Sequence, residues 1–177
     1  CNGIALLLAL FVVRRYRQLG DNLVVVLYLF LCCGLIFLIG EEISWGQRIF
    51  GWSTTGVFAE INGQDETNLH NIVGVDAVFK WVQLLVGAYG FLALVVGRLQ
   101  IPARWRRLLA AIIPPVSLLP YFSLLFFWKL YRNLVHIPGW EFRLAEFNEV
   151  LELIFALGIL LFMVFQLRKE RLDQFEG

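Results

Sequence analysis

Charge is what this chain has little of: 16% of its 177 residues are Asp, Glu, Lys or Arg, against about 25% in an ordinary soluble domain. With 59% hydrophobic residues and a mean hydropathy of +0.72, too few polar side chains remain to cover a water-soluble globule, and a membrane protein is expected. Histidine is scarce as well. The chain has two, neither in an HExxH or ExxH pattern, which excludes the usual helix-borne metal motifs. No GxSxG elbow and no glycine-rich phosphate loop occurs, so the common serine-hydrolase and nucleotide-binding signatures are excluded too. Cys1, Cys32 and Cys33 have no metal-ligand spacing, and a disulfide between the adjacent pair would be strained, so they read as packing thiols. Cys1 reads as the point where this stretch of chain begins rather than as a lipid-modified terminus, because an apolar run follows at once. The net charge of +1, with bases in short clusters between apolar runs, argues against nucleic acid as a partner.

What is present is a series of apolar runs. Crossing a hydrocarbon core of about 30 Å takes about 20 helical residues. Cys1 to Val13 is uncharged for 13 residues and reads as the remainder of a first span, stopped by Arg14, Arg15 and Arg17. Gly20, Asp21 and Asn22 give a turn. Asn22 to Gly40 then runs 19 residues without a charge and ends at Glu41. The pattern stays helical as far as Arg48, after which Gly51, Ser53, Thr54, Thr55 and Gly56 break it. A short amphipathic piece from Val57 to Ile61 precedes an Asn62-Gly63 turn. Asp65, Glu66 and Thr67 are good cap residues, so a third helix is expected from near Thr67.

The core of that helix is Trp81 to Gly97, 17 uncharged residues. Leu108 to Trp128 is uncharged for 21 residues but carries Pro114, Pro115 and Pro120, which free backbone carbonyls and predict a kink facing protein rather than lipid. The last helix, Glu141 to about Arg171, has only 15 uncharged residues, Leu153 to Leu167. That is too few to span, so its crossing portion reaches back to Asn148 and takes in Glu149 and Glu152.

Orientation follows from the loops. Arg14, Arg15, Arg17, Arg98, Arg104, Arg106, Arg107, Arg168, Lys169 and Arg171 fall on one side, which is 10 of the 15 basic residues, with 4 of the 14 acids. The positive-inside rule makes that side cytoplasmic. The expectation is an all-α polytopic transmembrane bundle forming a single domain, with about five spans at 1–13, 22–40, 77–97, 108–128 and 148–167. Its N-terminus lies outside, its C-terminus is cytoplasmic, and an outer loop with short helices covers 41–76.

The unusual polar residues then gather on the outer side. Glu41, Glu42, Gln47 and Arg48 follow the second span; Asn68, His70 and Asn71 precede the third; Glu149 and Glu152 enter the fifth. Ionised carboxylates in a bilayer are expensive and face protein or water. Glu146, Glu149 and Glu152 share a helix face, a stripe able to meet the helix end at Glu41 and Glu42. Carboxylates with an imidazole suit a divalent metal, a proton relay or a cationic ligand, with Glu42, His70, Glu149 and Glu152 as the metal candidates. In the alternative arrangement the groups neutralise one another, Glu149 or Glu152 with Arg48 or Arg143, while His70 caps a helix. His136 sits in a turn-rich link. Trp45, Trp52, Trp81, Trp128 and Trp140 fall at outer boundaries as an aromatic belt; a lipid, quinone or pigment pocket among them is the other use of such rings.

The stretch EEISWGQRIFGW followed by NLHN resembles an outer-loop signature of uncharacterised bacterial multi-pass membrane proteins. The resemblance covers about 35 residues and implies a bacterial inner membrane without implying an activity. Membrane ceramidase-like hydrolases, which hold zinc with three histidines, an aspartate and a serine, are not matched: the chain has two histidines and no HxxxH pair. The functional expectation is a non-catalytic or ligand-binding accessory subunit among other membrane-protein subunits. Its alternative is a metal-dependent, hydrolase-like enzyme acting on a lipid or isoprenoid, with Glu41, Glu42, His70, Glu149 and Glu152 as ligands or general base. Small residues at Gly87, Ala88, Gly90 and Ala93 are expected to allow close helix contact.

Overall fold

The fold was read from a computed structural model that describes residues 1–62, 66–69, 72, 75–96, 98–135 and 141–175. At positions 58, 76, 77, 103, 104, 141–146 and 169–175 only the backbone is described. The described chain is all helical apart from an isolated antiparallel bridge between Asn62 and Ile72.

Helices α1 (Asn2–Gln18) and α2 (Asn22–Glu42) form an antiparallel hairpin. Gly20 turns the chain in the left-handed region, at φ 73°, and Asp21 caps α2 by accepting from the Val24 amide at 3.3 Å. Ala5, Ala9, Val12 and Tyr16 of α1 and Val24, Tyr28, Cys32 and Leu35 of α2 are buried. Their spacings of three and four put each set on one helix face. The opposite faces are apolar as well: Ile4, Leu7, Phe11, Val26, Phe30 and Ile36 are all exposed. Apolar residues all around a helix indicate a hydrocarbon surrounding rather than water.

Short α3 (Gln47–Phe50) and α4 (Val57–Ile61) follow, then α5 (Val75–Tyr89) and α6 (Leu92–Val96). Helix α7 (Ala103–Ile112) leads through a 3-10 turn at Val116–Leu118 to α8 (Leu119–Leu134), and α9 (Glu141–Phe175) closes the bundle. Four stretches are long and apolar enough to cross a membrane: Asn22–Glu42, Val78–Val96, Trp105–Leu134 and Phe147–Arg168. The expected first span is α1, 17 residues long with Arg15 and Arg17 in its last turn.

The proline break shows how polar backbone is handled in this apolar surrounding. Pro114 and Pro115 have no N–H, so the carbonyls of Ala110 and Ala111 lose the donors that an unbroken helix would supply. Gln166 of α9 donates to Ala110 O at 2.9 Å, and Tyr28 of α2 donates to Ala111 O at 2.7 Å. Both side chains are buried, at 4% and 3% exposure, so the break faces protein as expected. Pro120, also expected to break the run, sits instead in the first turn of α8, where no amide donor is needed.

Glycine contacts join the remaining helices. A Cβ at Gly87 would lie 2.7 Å from the backbone nitrogen of Phe126, and one at Gly90 would lie 2.2 Å from Phe122 Cβ. On α9, a Cβ at Gly158 would lie 2.7 Å from Tyr121 Cβ. Close contact through Gly87 and Gly90 is thus as expected.

Two boundaries differ from the sequence expectation. The third helix starts at Val75 rather than near Thr67; Thr67 N donates to Gln47 Oε1 and Leu69 N to Glu41 Oε2, which ties this stretch to the loop after α2. The run 77–97 is not one helix but turns at Gly90 and Phe91, where the amides bond three residues back.

Candidate functional site

The polar residues after α2 build a tightly turned loop. Ser44 and Trp45 have positive φ, 48° and 51°, and Gly46 follows at 102°. Left-handed backbone at two non-glycine residues costs about 1–2 kcal/mol each, so neighbouring contacts must hold it. Trp45 Nε1 donates to Glu41 Oε1 at 2.6 Å, and its ring lies where a Cβ at Gly40 would approach to 2.9 Å. Glycine at position 40 is therefore required for the ring to lie against α2. The other oxygen of Glu41 accepts from Leu69 N at 2.8 Å, so this carboxylate, 5% exposed at the negative end of α2, is held by two donors.

Glu66 anchors the far side of the loop. It accepts from Arg48 Nη2 at 2.6 Å, from Asn68 Nδ2 at 2.6 Å and from Ser44 Oγ at 3.2 Å. Burial pushes the Glu66 carboxyl up, but the hydrogen bond and charge of Arg48, with the bonds from Ser44 and Asn68, outweigh it and hold the group below the usual carboxylate value. Asn62 donates to the Asn68 carbonyl at 3.0 Å, and Gln47 donates to Thr54 Oγ1 at 2.9 Å. In the alternative arrangement Glu149 or Glu152 would pair with Arg48 or Arg143; Arg48 pairs instead with Glu66, and the Arg143 side chain lies outside the described residues.

A second polar group lies between the helices, at the end of the bundle where α2 finishes and α9 begins. A cleft of about 750 Å³ opens there. Glu41, Glu42 and Arg48 line one side, and Glu149 and Glu152 of α9 line another. Lys80 and Gln83 of α5 and Lys129 and Arg132 of α8 complete its polar wall. Lys129 is buried at 4% exposure, hydrogen-bonds to Asn148 Oδ1 and lies 3.5 Å from Glu152 Oε1. Glu152 also accepts from Asn148 Nδ2 at 2.5 Å and from Gln83 Nε2 at 2.8 Å. A lysine this deep is tolerated because its charge has a carboxylate and an amide oxygen to meet.

The sequence candidates thus divide. Glu41, Gln47, Arg48 and Asn68 are bonded into the loop, with Glu41 and Arg48 also on the cleft wall, while Glu42, Glu149 and Glu152 belong to the cleft alone. His70 and Asn71 lie outside the described residues, as do His136, Trp140 and the side chains of Arg143 and Glu146. Among the described residues no group of three or more His, Cys, Asp or Glu is placed to hold a metal ion. Sequence reasoning missed Glu66, Gln83, Lys129 and Asn148. Asn148 was detectable at one helical turn from Glu152. Lys129 was hidden because α8 continues six residues past the uncharged run, to Leu134.

Trp45, Trp52 and Trp81 are each about half exposed, at 47%, 45% and 56%, and Trp52 stacks on Phe50 with ring centroids 5.6 Å apart. An all-helical bundle with four apolar, membrane-length helical stretches and apolar exposed faces is compatible with an integral membrane protein in contact with lipid. No family model, no curated protein and no solved structure matches the chain.

Proposed function

We propose that the chain is a five-span, ligand-binding accessory subunit of a membrane assembly in the bacterial inner membrane, with its N-terminus and the 41–76 loop outside and its C-terminus cytoplasmic. The cleft is its binding site. The observation that carries this reading is the set of charges on the cleft wall: among the described residues Glu42 and Glu149 meet no hydrogen-bond or ion-pair partner, and Arg132 lines the same space. A carboxylate at the C-terminal end of a helix opposes the helix dipole, so Glu42 stands where folding alone does not favour it. The α1 helix supports the fifth span, since it lies against α2 and α9 and exposes Ile4, Leu7, Leu10 and Phe11. The loop built on Glu41 and Glu66 serves as a rigid wall that holds the end of α2 against the cleft.

The test is a thermal-unfolding comparison of the purified chain with and without an extract of the membrane that produced it. The extract is expected to raise the melting temperature of the wild type but not of Glu42→Gln/Glu149→Gln. An equal rise in both proteins refutes the cleft as the binding site.

A further inference from the structure

The cleft is graded in polarity along the helix axes. On α2 the apolar residues Leu38 and Ile39 lie deeper than Glu42; on α9 Leu153 and Ala156 lie deeper than Glu149. From Glu149 to Ala156 the descent is about 10 Å at ~1.5 Å per residue. Lys129, Asn148, Glu152 and Gln83 are bonded to one another on the cleft wall, and Glu42, Glu149 and Arg132 line the same space. A ligand that fills the space therefore carries its charges at one end and an apolar part at the other. The cleft volume of about 750 Å³ falls within the range of about 300–1,000 Å³ usual for small-molecule sites.

The sign of the head follows from these charges. A purely anionic amphiphile would set its charge against Glu42 and Glu149, and a purely cationic one would meet Arg132. A head with both signs meets the two carboxylates and the guanidinium together. The positive end is an amine bearing N–H donors rather than a quaternary ammonium. Quaternary ammonium recognition uses a cage of aromatic faces, and Phe79 is the single aromatic lining residue among those described. A bare metal ion would use neither the bases nor the apolar floor.

We propose that the cleft binds a zwitterionic phospholipid with a primary-amine head, its ammonium on Glu42 and Glu149, its phosphate on Arg132, and the start of an acyl chain along Leu38, Ile39, Leu153 and Ala156. The proposal rests on the ligand-binding reading above and narrows it to one lipid class. Lipid exchanges laterally into such a site from the surrounding bilayer, so the ligand need never cross water.

The purified full chain is incubated in mixed micelles with phosphatidylethanolamine, phosphatidylcholine or phosphatidylglycerol, and the lipid retained per chain after washing is counted by native mass spectrometry. One phosphatidylethanolamine is expected in preference to the other two. Glu42→Gln/Glu149→Gln is expected to lower its retention by at least about tenfold, and to turn the preference toward phosphatidylglycerol, because the cleft wall is then net positive. Arg132→Gln is expected to weaken phosphatidylethanolamine without that reversal. An unchanged melting temperature in each variant without lipid shows that the fold is intact; Arg132→Met provides a second variant on the phosphate side if Arg132→Gln does not fold. Equal retention of the three lipids by the wild type, or an unaltered preference in the carboxylate variant, overturns the proposal. Glycerophosphoethanolamine, which lacks acyl chains, separates the two levels. If it protects the wild type as well as the intact lipid does, the lipid assignment falls and the ligand-binding reading stands. If no headgroup of any sign is retained and the membrane extract also fails, both fall.

Discussion

Replacing Gln166 by Leu removes one hydrogen bond and little volume, and the structure sets how much that costs. Gln166 donates to Ala110 O at 2.9 Å from a side chain that is 4% exposed. Hydrogen bonds between membrane helices are often weak, about 0.6 kcal/mol on average and about 1.7 at most, because a freed group finds another partner. Ala110 O has no such alternative within its helix. The amide that would reach it in an unbroken helix belongs to Pro114, which has no N–H, so the carbonyl is left unsatisfied in a dry interior. A buried acceptor left without a donor costs about 1–3 kcal/mol. Taking the two limits together, Gln166→Leu should lower stability by about 1–2 kcal/mol, a change of roughly 5–30-fold in the folded to unfolded ratio. Tyr28→Phe should cost a similar amount through Ala111 O, which Pro115 leaves bare. Reversible unfolding in mixed micelles of rising dodecyl sulfate content, followed by circular dichroism, measures both. Leucine is the more lipid-compatible residue, so a stability equal to or above wild type would refute the reasoning outright.

Gly90→Ala sets a methyl group 2.2 Å from Phe122 Cβ and should destabilise by about 1–3 kcal/mol, whereas Gly34→Ala meets nothing within 4 Å and should be neutral or slightly stabilising in the same unfolding assay. Equal effects at the two positions would show that the α5–α8 contact is not tight. Glu66 is held below its ordinary value of 4.5 in the folded chain, so it contributes stability above about pH 4.5 that disappears as the pH falls through the lower folded value. Hydrogen exchange at the Thr67 and Leu69 amides should therefore accelerate, relative to Glu66→Gln, on acidification below about pH 4.5; matching profiles in the two proteins would rule out Glu66 as the anchor. Lys129→Met leaves Glu152 with amide donors but no cation, and should destabilise more than Lys129→Met/Glu152→Leu, which removes both charges. A double variant worse than the single one in the unfolding assay would contradict that pairing. In a cysteine-free background, a cysteine at Thr55 should react with an impermeant maleimide from outside intact cells and one at Gln100 should not; the reverse pattern would invert the proposed topology.

The sequence alone determined the all-helical, apolar character of the chain. Run lengths and charge counts are one-dimensional properties, and a hydrocarbon slab acts on them one helix at a time, so an all-helical chain with apolar helices from Asn22 and from Phe147 was legible before any packing was known. The missing apolar length of the last helix placed Glu152 among helices for the same reason. The division of labour among the polar residues was not legible. Glu41 and Glu42 are adjacent and identical, yet Glu41 turns inward to Trp45 and Leu69 while Glu42 faces the cleft. Neighbouring helical residues point about 100° apart, and which direction meets a donor depends on chain 28 residues away. Glu66 looked like a helix cap because local spacing favoured one, but its carboxylate meets Arg48, Ser44 and Asn68, while Thr67 N and Leu69 N bond to Gln47 and Glu41. Tyr28, Gln166 and the two prolines show the same rule. The sequence showed that prolines in the run would free backbone carbonyls; only the tertiary structure decided which ones, and which side chains from helices far along the chain would reach them, because that choice depends on three-dimensional proximity that no local pattern encodes.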